Sequence, residues 1–198
     1  MNWIQTLEFW DQKATLAINS LNSPWSDQIW LFFSDKLVWV PLYLLIAVLL
    51  VKKYGWINGL ISIVSIALCI TCVDQGCNLI KDAVARLRPC NNPDIVSQGL
   101  HILAAPSARY PYGFFSAHAG NAMAFATASA LLLKNKTWKI ILPLWAILVG
   151  LSRIFVGKHF LGDVLVGWII GDWIGAALAW LALKLISART AKSSHASA

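Results

Sequence analysis

Ser152-Arg153-Ile154-Phe155-Val156-Gly157-Lys158-His159-Phe160-Leu161-Gly162-Asp163 places two cations, a histidine and a carboxylate between two strongly apolar segments. His159 and Asp163 are four apart, so on a helix that starts near His159 they share one face and can hydrogen-bond. A carboxylate on one imidazole nitrogen leaves the other as a directed lone pair, the wiring of a nucleophile or a base. Arg153, just before the turn, has the forked donors that suit an oxyanion such as phosphate.

The apolar flanks decide the class. The chain has 198 residues, 58% of them hydrophobic and only 13% charged, with a mean hydropathy of +0.64. That lies well beyond an ordinary soluble domain. We read an all-α, polytopic membrane helical bundle forming a single domain over 1–198. Membrane-length segments run at about 36–51, 56–82, 116–133, 138–153 and 160–186. The first is short for a hydrocarbon core of ~30 Å at ~1.5 Å per residue. Residues 2–22 set Trp3, Ile4, Leu7, Trp10, Ala14, Ala17, Ile18 and Leu21 at helical spacing, with Glu8, Asp11, Gln12 and Lys13 elsewhere. This is an amphipathic helix suited to the membrane interface, which can also pack on the bundle. Ser23-Pro24-Trp25-Ser26-Asp27 then reads as a turn and restart before a short apolar piece at 29–33.

Charge distribution orients the bundle. Lys52 and Lys53, then Lys134, Lys136 and Lys139, then Lys184, Arg189 and Lys192 fall on one side, which the positive-inside rule makes cytoplasmic. The opposite side takes the acidic stretch 1–35, the long connection 83–115 and the turn 154–159. Arg86, Arg88, Arg109, Arg153 and Lys158 lie on that exported side and need a separate reason, for which anion binding is the obvious one. The net charge of +7 therefore fits topology and anion binding, and no nucleic-acid motif accompanies it. Cys69 and Cys72 form a CxxC inside an apolar helix and read as packing residues. Cys77 and Cys90 are the one pair left open for a disulfide. No basic region followed by an uninterrupted apolar core opens the chain, so no cleavable signal peptide is expected.

Other polar residues interrupt the apolar segments. Asp74, Asn78 and Lys81 form a stripe at i, i+4 and i+7, and ionisable residues at membrane depth face the bundle interior. For Asp74 we favour a packing hydrogen bond over catalysis. Pro89 ends any helix there, so Arg88 sits where the chain leaves the membrane. Ser116 is a good N-cap, with His118 in the first turn, where free backbone N–H groups attract oxyanions. Asp163, Gly167, Gly171 and Gly175 recur every four residues, a small-residue stripe for close helix packing; Asp172 lies off it and reads as structural. The proline-rich connection 83–115 is too long for a mere linker. We expect it to cover the site, with Arg109 and His101 as outer contacts, although an ordinary surface position suits His101 better.

Together, Lys81-x6-Arg88-Pro89, Ser116-Ala117-His118 and Ser152-Arg153-x5-His159-x3-Asp163 resemble the three-part signature of the type 2 phosphatidic acid phosphatase (PAP2) superfamily, which also includes bacterial acid phosphatases and vanadium haloperoxidases. One departure lies in the middle motif, commonly Pro-Ser-Gly-His, where this chain has Phe115-Ser116-Ala117-His118. The Ala117 methyl narrows the approach to phosphate. The resemblance implies a phosphatase that needs neither metal nor other cofactor. In it Lys81, Arg88 and Arg153 hold the phosphate oxygens, with Ser116 and the Ala117 N–H as further donors. His159 attacks to give a phosphohistidine, Asp163 holds its tautomer, and His118 protonates the leaving group. The substrates implied are phospholipid, polyprenyl or glycolipid phosphates on the periplasmic or exterior face of a bacterial plasma membrane. Undecaprenyl diphosphate and lipid A phosphate come ahead of phosphatidylglycerophosphate and phosphatidate. A lipid-to-lipid phosphotransferase would use the same residues. A haloperoxidase sits poorly with a membrane-embedded site, and a lipid transporter leaves His118 and the His159–Asp163 pair unexplained.

Overall fold

The computed structural model describes residues 2–106 and 110–196. Its first helix, α1 (Trp3–Asn19), opens on a capping box: the Asn2 side chain accepts from the Gln5 N–H, and the Gln5 side chain accepts from the Asn2 N–H. Thr15 and Asn19 are buried, whereas Trp3, Leu7 and Trp10 are exposed. Thr15 and Asn19 thus face the protein together with Leu16 and Ile18, which pack on buried apolar clusters, while the tryptophans face outward, a pattern that suits a membrane interface. A second capping box, Ser23 with Ser26, and Pro24 in the first turn start α2 (Pro24–Ser34). The short apolar piece 29–33 therefore belongs to a helix, and it docks by stacking Trp30 on Phe155 at 4.1 Å.

Helix α3 (Val40–Val84) is broken at Gly55, whose φ of 75° and ψ of 173° are non-helical. Beyond the break, a Cβ on Gly59 would lie 2.7 Å from the Val51 Cα. In a straight helix residues eight apart are separated by about 12 Å. The chain thus folds back at Gly55, and the arms 40–54 and 56–84 form a helical hairpin. The first arm begins at Val40, later than the 36 expected, because the Asp35 carboxylate accepts from the Leu37 N–H at 2.9 Å and holds the chain in a turn.

After a 3-10 turn at Pro89–Asn91 come α4 (Pro93–Ser97), α5 (Ala117–Leu133), α6 (Trp138–Phe155) and α7 (Leu161–Ala196). Apart from one bridge between Leu87 and Tyr112, no strand pairing occurs among the described residues. The helices α3, α6 and α7 are long and apolar enough to cross a membrane. The shorter α5 is the most enclosed, with Ala119, Ala124, Ala126, Ala128 and Leu132 buried. It packs against the glycine stripe of α7. A Cβ on Gly167 would lie 2.6 Å from the Ser116 carbonyl, one on Gly171 would meet the Gly120 carbonyl, and one on Gly175 would lie 2.7 Å from that of Ala124. This is an all-α polytopic membrane bundle. All four cysteines are free, and the Cys77 thiol donates instead to the Phe115 carbonyl at 3.1 Å.

Candidate active site

The end of the bundle away from Gly55 gathers the three motifs. At the close of α6 the chain turns through Gly157 (φ 77°), and the Lys158 and His159 N–H groups both donate to the Arg153 carbonyl, at 3.0 and 3.2 Å. The turn is wrapped around that oxygen, which sets His159 just ahead of α7. Asp163 caps the helix start by accepting from the Phe160 N–H at 3.0 Å. The same carboxylate oxygen lies 3.4 Å from His159 Nδ1. The other ring nitrogen, Nε2, is 3.1 Å from Arg88 Nη1. A guanidinium only donates and a carboxylate only accepts, so Nδ1 carries the proton and Nε2 is a lone pair. Burial pushes the His159 imidazole down to about 4; Asp163 opposes that, and Arg88 and Arg153 reinforce it.

Arg88 is held by the connecting segment. Its N–H donates to the Pro111 carbonyl at 2.9 Å, the Gly113 N–H returns to the Arg86 carbonyl at 2.9 Å, and its Nε reaches the Tyr110 carbonyl at 3.1 Å. Gly113 lies against Arg88 and the His159–Asp163 pair: a Cβ there would sit 3.1 Å from Arg88 Cγ and 3.5 Å from His159 Nδ1. The connection covers the site as expected, through Tyr112 and Gly113.

The result is a cavity of about 160 Å³ lined by Lys81, Arg88, Ala117, His118, Arg153 and His159. Asp163 stands behind His159. Ser116 does not reach the cavity. It is fully buried, its hydroxyl caps the Ala119 N–H at 3.4 Å, and its own N–H donates to the Asp163 carbonyl at 2.9 Å. Lys81 leans on Asn78 Oδ1 at 2.6 Å. Arg153 donates from Nη1 to Ser34, while its buried Nε has no partner among the described residues. A second, larger cavity of about 400 Å³ adjoins the first at Ala117 and His118 and is walled by Trp39, Tyr43, Phe125 and Trp145.

Other expectations resolve differently. Arg86 and Lys158, expected to bind an anion, do not line the cavity. Arg86 bridges Asp11 and Asp163 at 2.6 and 2.8 Å, and Lys158 donates to the Ala105 carbonyl. His101 pairs with Asp27 at 3.0 Å, away from the cavity. Asp74 accepts from Asn121 at 2.8 Å and Asp172 from Thr127 at 2.6 Å, both holding helices together. Arg109 lies outside the described residues. The contribution of Asp11 has no signal in its local sequence; the surplus arginine two places before Arg88 was the one hint.

A profile of the PAP2 superfamily matches residues 58–190. The chain belongs to the PAP2 superfamily. Among PAP2 relatives, a lipid A 4'-phosphatase from Bacteroides thetaiotaomicron is 33% identical over 183 residues, spanning 92% of this chain and 81% of the relative. An undecaprenyl-diphosphatase from Sulfolobus acidocaldarius is 32% identical over 146 residues, 72% of this chain and 62% of the relative. In fold, the PAP2 chain is similar to the crystal structure of a transmembrane PAP2-type phosphatidylglycerolphosphate phosphatase from Bacillus subtilis. The TM-score there is 0.69 at 22% identity, covering 93% of this chain and 88% of that one. Aquifex aeolicus LpxE gives 0.61 at 24% identity, covering 87% and 93%.

Proposed function

We propose that this PAP2 protein is a lipid phosphatase that hydrolyses a phosphate or diphosphate through a phosphohistidine, with no metal in the step. The observation that carries the reading is the lone pair of His159 Nε2, set into a cavity that also holds three cations and His118. Lys81, Arg88 and Arg153 bind the non-bridging oxygens and offset the charge of the transition state. The unpartnered Arg153 Nε and the N–H groups at the start of α5 offer further donors. His159 Nε2 forms the bond to phosphorus as the bond to the leaving oxygen breaks, and His118 supplies that oxygen with a proton. The leaving oxygen is that of the lipid in a monophosphate, or the bridging oxygen of the lipid monophosphate in a diphosphate. Water then attacks the phosphohistidine, His118 takes its proton, and the N–P bond breaks to release inorganic phosphate. Asp163 holds the His159 tautomer and stabilises the imidazolium charge throughout.

The adjoining apolar-walled cavity seats the lipid part of the substrate beside His118. The lysines gathered at the opposite end support an exported site, on the outer face of a bacterial plasma membrane. The identity to a lipid A 4'-phosphatase along most of the chain ranks a lipid A phosphate first and undecaprenyl diphosphate second. Phosphate release from a panel of purified lipids, wild type against His159→Ala, tests the chemistry and the substrate together. The variant should lose at least ~10³-fold in turnover while still inserting into membranes. Near-normal release would sink the assignment, and release that depends on an added lipid acceptor would turn the reading to phosphotransfer.

A further inference from the structure

The interfacial helix α1 reaches into the catalytic corner. Asp11 Oδ1 accepts from the Gly162 N–H at 2.7 Å and Thr15 Oγ from the Leu161 N–H at 2.9 Å, so α1 caps the first turn of α7. The approach is close enough that a Cβ on Gly162 would lie 2.9 Å from Asp11 Oδ2. That second Asp11 oxygen holds Arg86 Nη2 at 2.6 Å, and Arg86 Nη1 holds Asp163 Oδ1 at 2.8 Å. The guanidinium rests on the Phe160 ring, 4.0 Å from its centroid, which fixes its place between the two carboxylates. Asp163 Oδ2 is left to serve the Phe160 N–H and His159 Nδ1.

Asp163 has no exposed surface. A carboxylate in such a place needs a compensating charge, and among the described residues Arg86 is the arginine or lysine paired with it. We propose that Arg86 and Asp11 are positioning residues: the chain Asp11–Arg86–Asp163–His159 fixes the rotation of the Asp163 carboxylate and so holds His159 as the Nδ1–H tautomer. The interfacial helix then belongs to the catalytic machinery rather than only to the membrane anchor. This rests on the reading of His159 as the nucleophile. Without Arg86, Asp163 turns toward other donors or takes a proton, the imidazole loses its acceptor, and the lone pair is no longer confined to Nε2.

The test combines ring ¹⁵N spectra of the histidine-labelled, full-length protein in micelles with phosphate release from a lipid phosphate. The His159 signals are identified by their loss in His159→Gln. Wild type should show one tautomer, protonated at Nδ1. Arg86→Gln should mix the tautomers and lower kcat by about 100-fold, while KM and the Ki of inorganic phosphate stay within about threefold. Arg86→Lys, which keeps the charge, should recover about tenfold of that loss. Asp11→Asn leaves the Arg86–Asp163 pair and an acceptor for Gly162, so it guards against simple misfolding; it should cost about tenfold in kcat. A single tautomer in Arg86→Gln with kcat within about twofold of wild type would overturn the proposal. So would KM and the phosphate Ki rising together by about tenfold with kcat preserved, the behaviour of a direct phosphate contact. If wild type releases no phosphate while the tautomer still shifts as stated, the phosphatase reading falls and the positioning role stands.

Discussion

The two ends of the bundle are both basic, but their cations are used in opposite ways. Near Gly55, Lys53 donates to the Leu133 carbonyl at the end of α5, beside the Tyr54 hydroxyl on Leu132 at 2.6 Å. Lys184 lies over the Trp180 ring, 3.8 Å from its centroid. Each of these charges is answered locally and singly, by a helix-end carbonyl or an aromatic face. At the other end Lys81, Arg88 and Arg153 point into one cavity of about 160 Å³, and none has a carboxylate partner among the described residues. The carboxylate at hand, Asp163, is turned away from the cavity and claimed by Arg86. Like charges held together without a counterion repel one another, and an anion entering among them relieves that cost. Basic residues alone do not make a site; their convergence on one volume does.

The sharpest way to break this contrast is to keep the charge at the converging end and remove its geometry. Arg153→Lys preserves the cation but loses the fork that places Nη1 on Ser34 and leaves Nε without a partner among the described residues. We expect kcat to fall by about 10²–10³, the scale of losing one preorganised donor to a developing charge. Steady-state kinetics on the best lipid substrate checks it. An Arg153→Lys protein as active as wild type would mean that charge, not geometry, is what the cavity supplies.

How far the contrast could be read from sequence differs between its parts. The helices were legible because membrane helices carry long apolar runs, and the fold-back was marked by Lys52-Lys53-Tyr54-Gly55. The site was legible because each motif keeps its groups a fixed spacing apart at a helix end, as with His159 and Asp163. The role of α1 was not. Asp11 and Arg86 lie 75 residues apart, and each has a bland local meaning, a polar helix face and a surplus basic residue. Ser116 was legible as a cap but not as a group withdrawn from the cavity, since that depends on how tightly Gly167 brings α7 against it. The second cavity was hidden for a similar reason. Its walls follow from edge-to-face packing of Trp145 on Trp39 and Phe125, at 5.4 and 5.7 Å, which apolar patterning does not encode.

A smaller effect concerns pH. As the proposed nucleophile His159 must be neutral, and burial, with Arg88 and Arg153 adding to it, keeps it so down to about 4. The acid limb that belongs to His159 should therefore fall near 4 in kcat/KM. Between pH 7 and pH 5 the rate should change only as the ionisation of the substrate phosphate requires. An imidazole with the ordinary value of about 6.5 would instead lose about thirtyfold by pH 5. The same shift has a stability consequence of fixed sign. A depressed folded-state value favours the fold fully above about 6.5, and that contribution is lost as pH falls toward 4. A thirtyfold loss of kcat/KM at pH 5 would show that the cavity does not hold His159 as the geometry requires.

The smallest effect is expected at the end where charge is answered singly. Lys53→Met removes the donor to the Leu133 carbonyl but keeps a flexible apolar stem against the hairpin. A cation at a helix C-terminus contributes about 0.3–1 kcal/mol, which for a chain of this size lowers Tm by roughly 1–4 °C. Turnover should stay within about twofold of wild type, because nothing connects this lysine to the cavity except the length of α3 and α5. Thermal melting in detergent beside phosphate release separates the outcomes. A tenfold loss of turnover at unchanged Tm would mean that the hairpin end communicates with the site, and the division between locally answered and convergent charge would have to be given up.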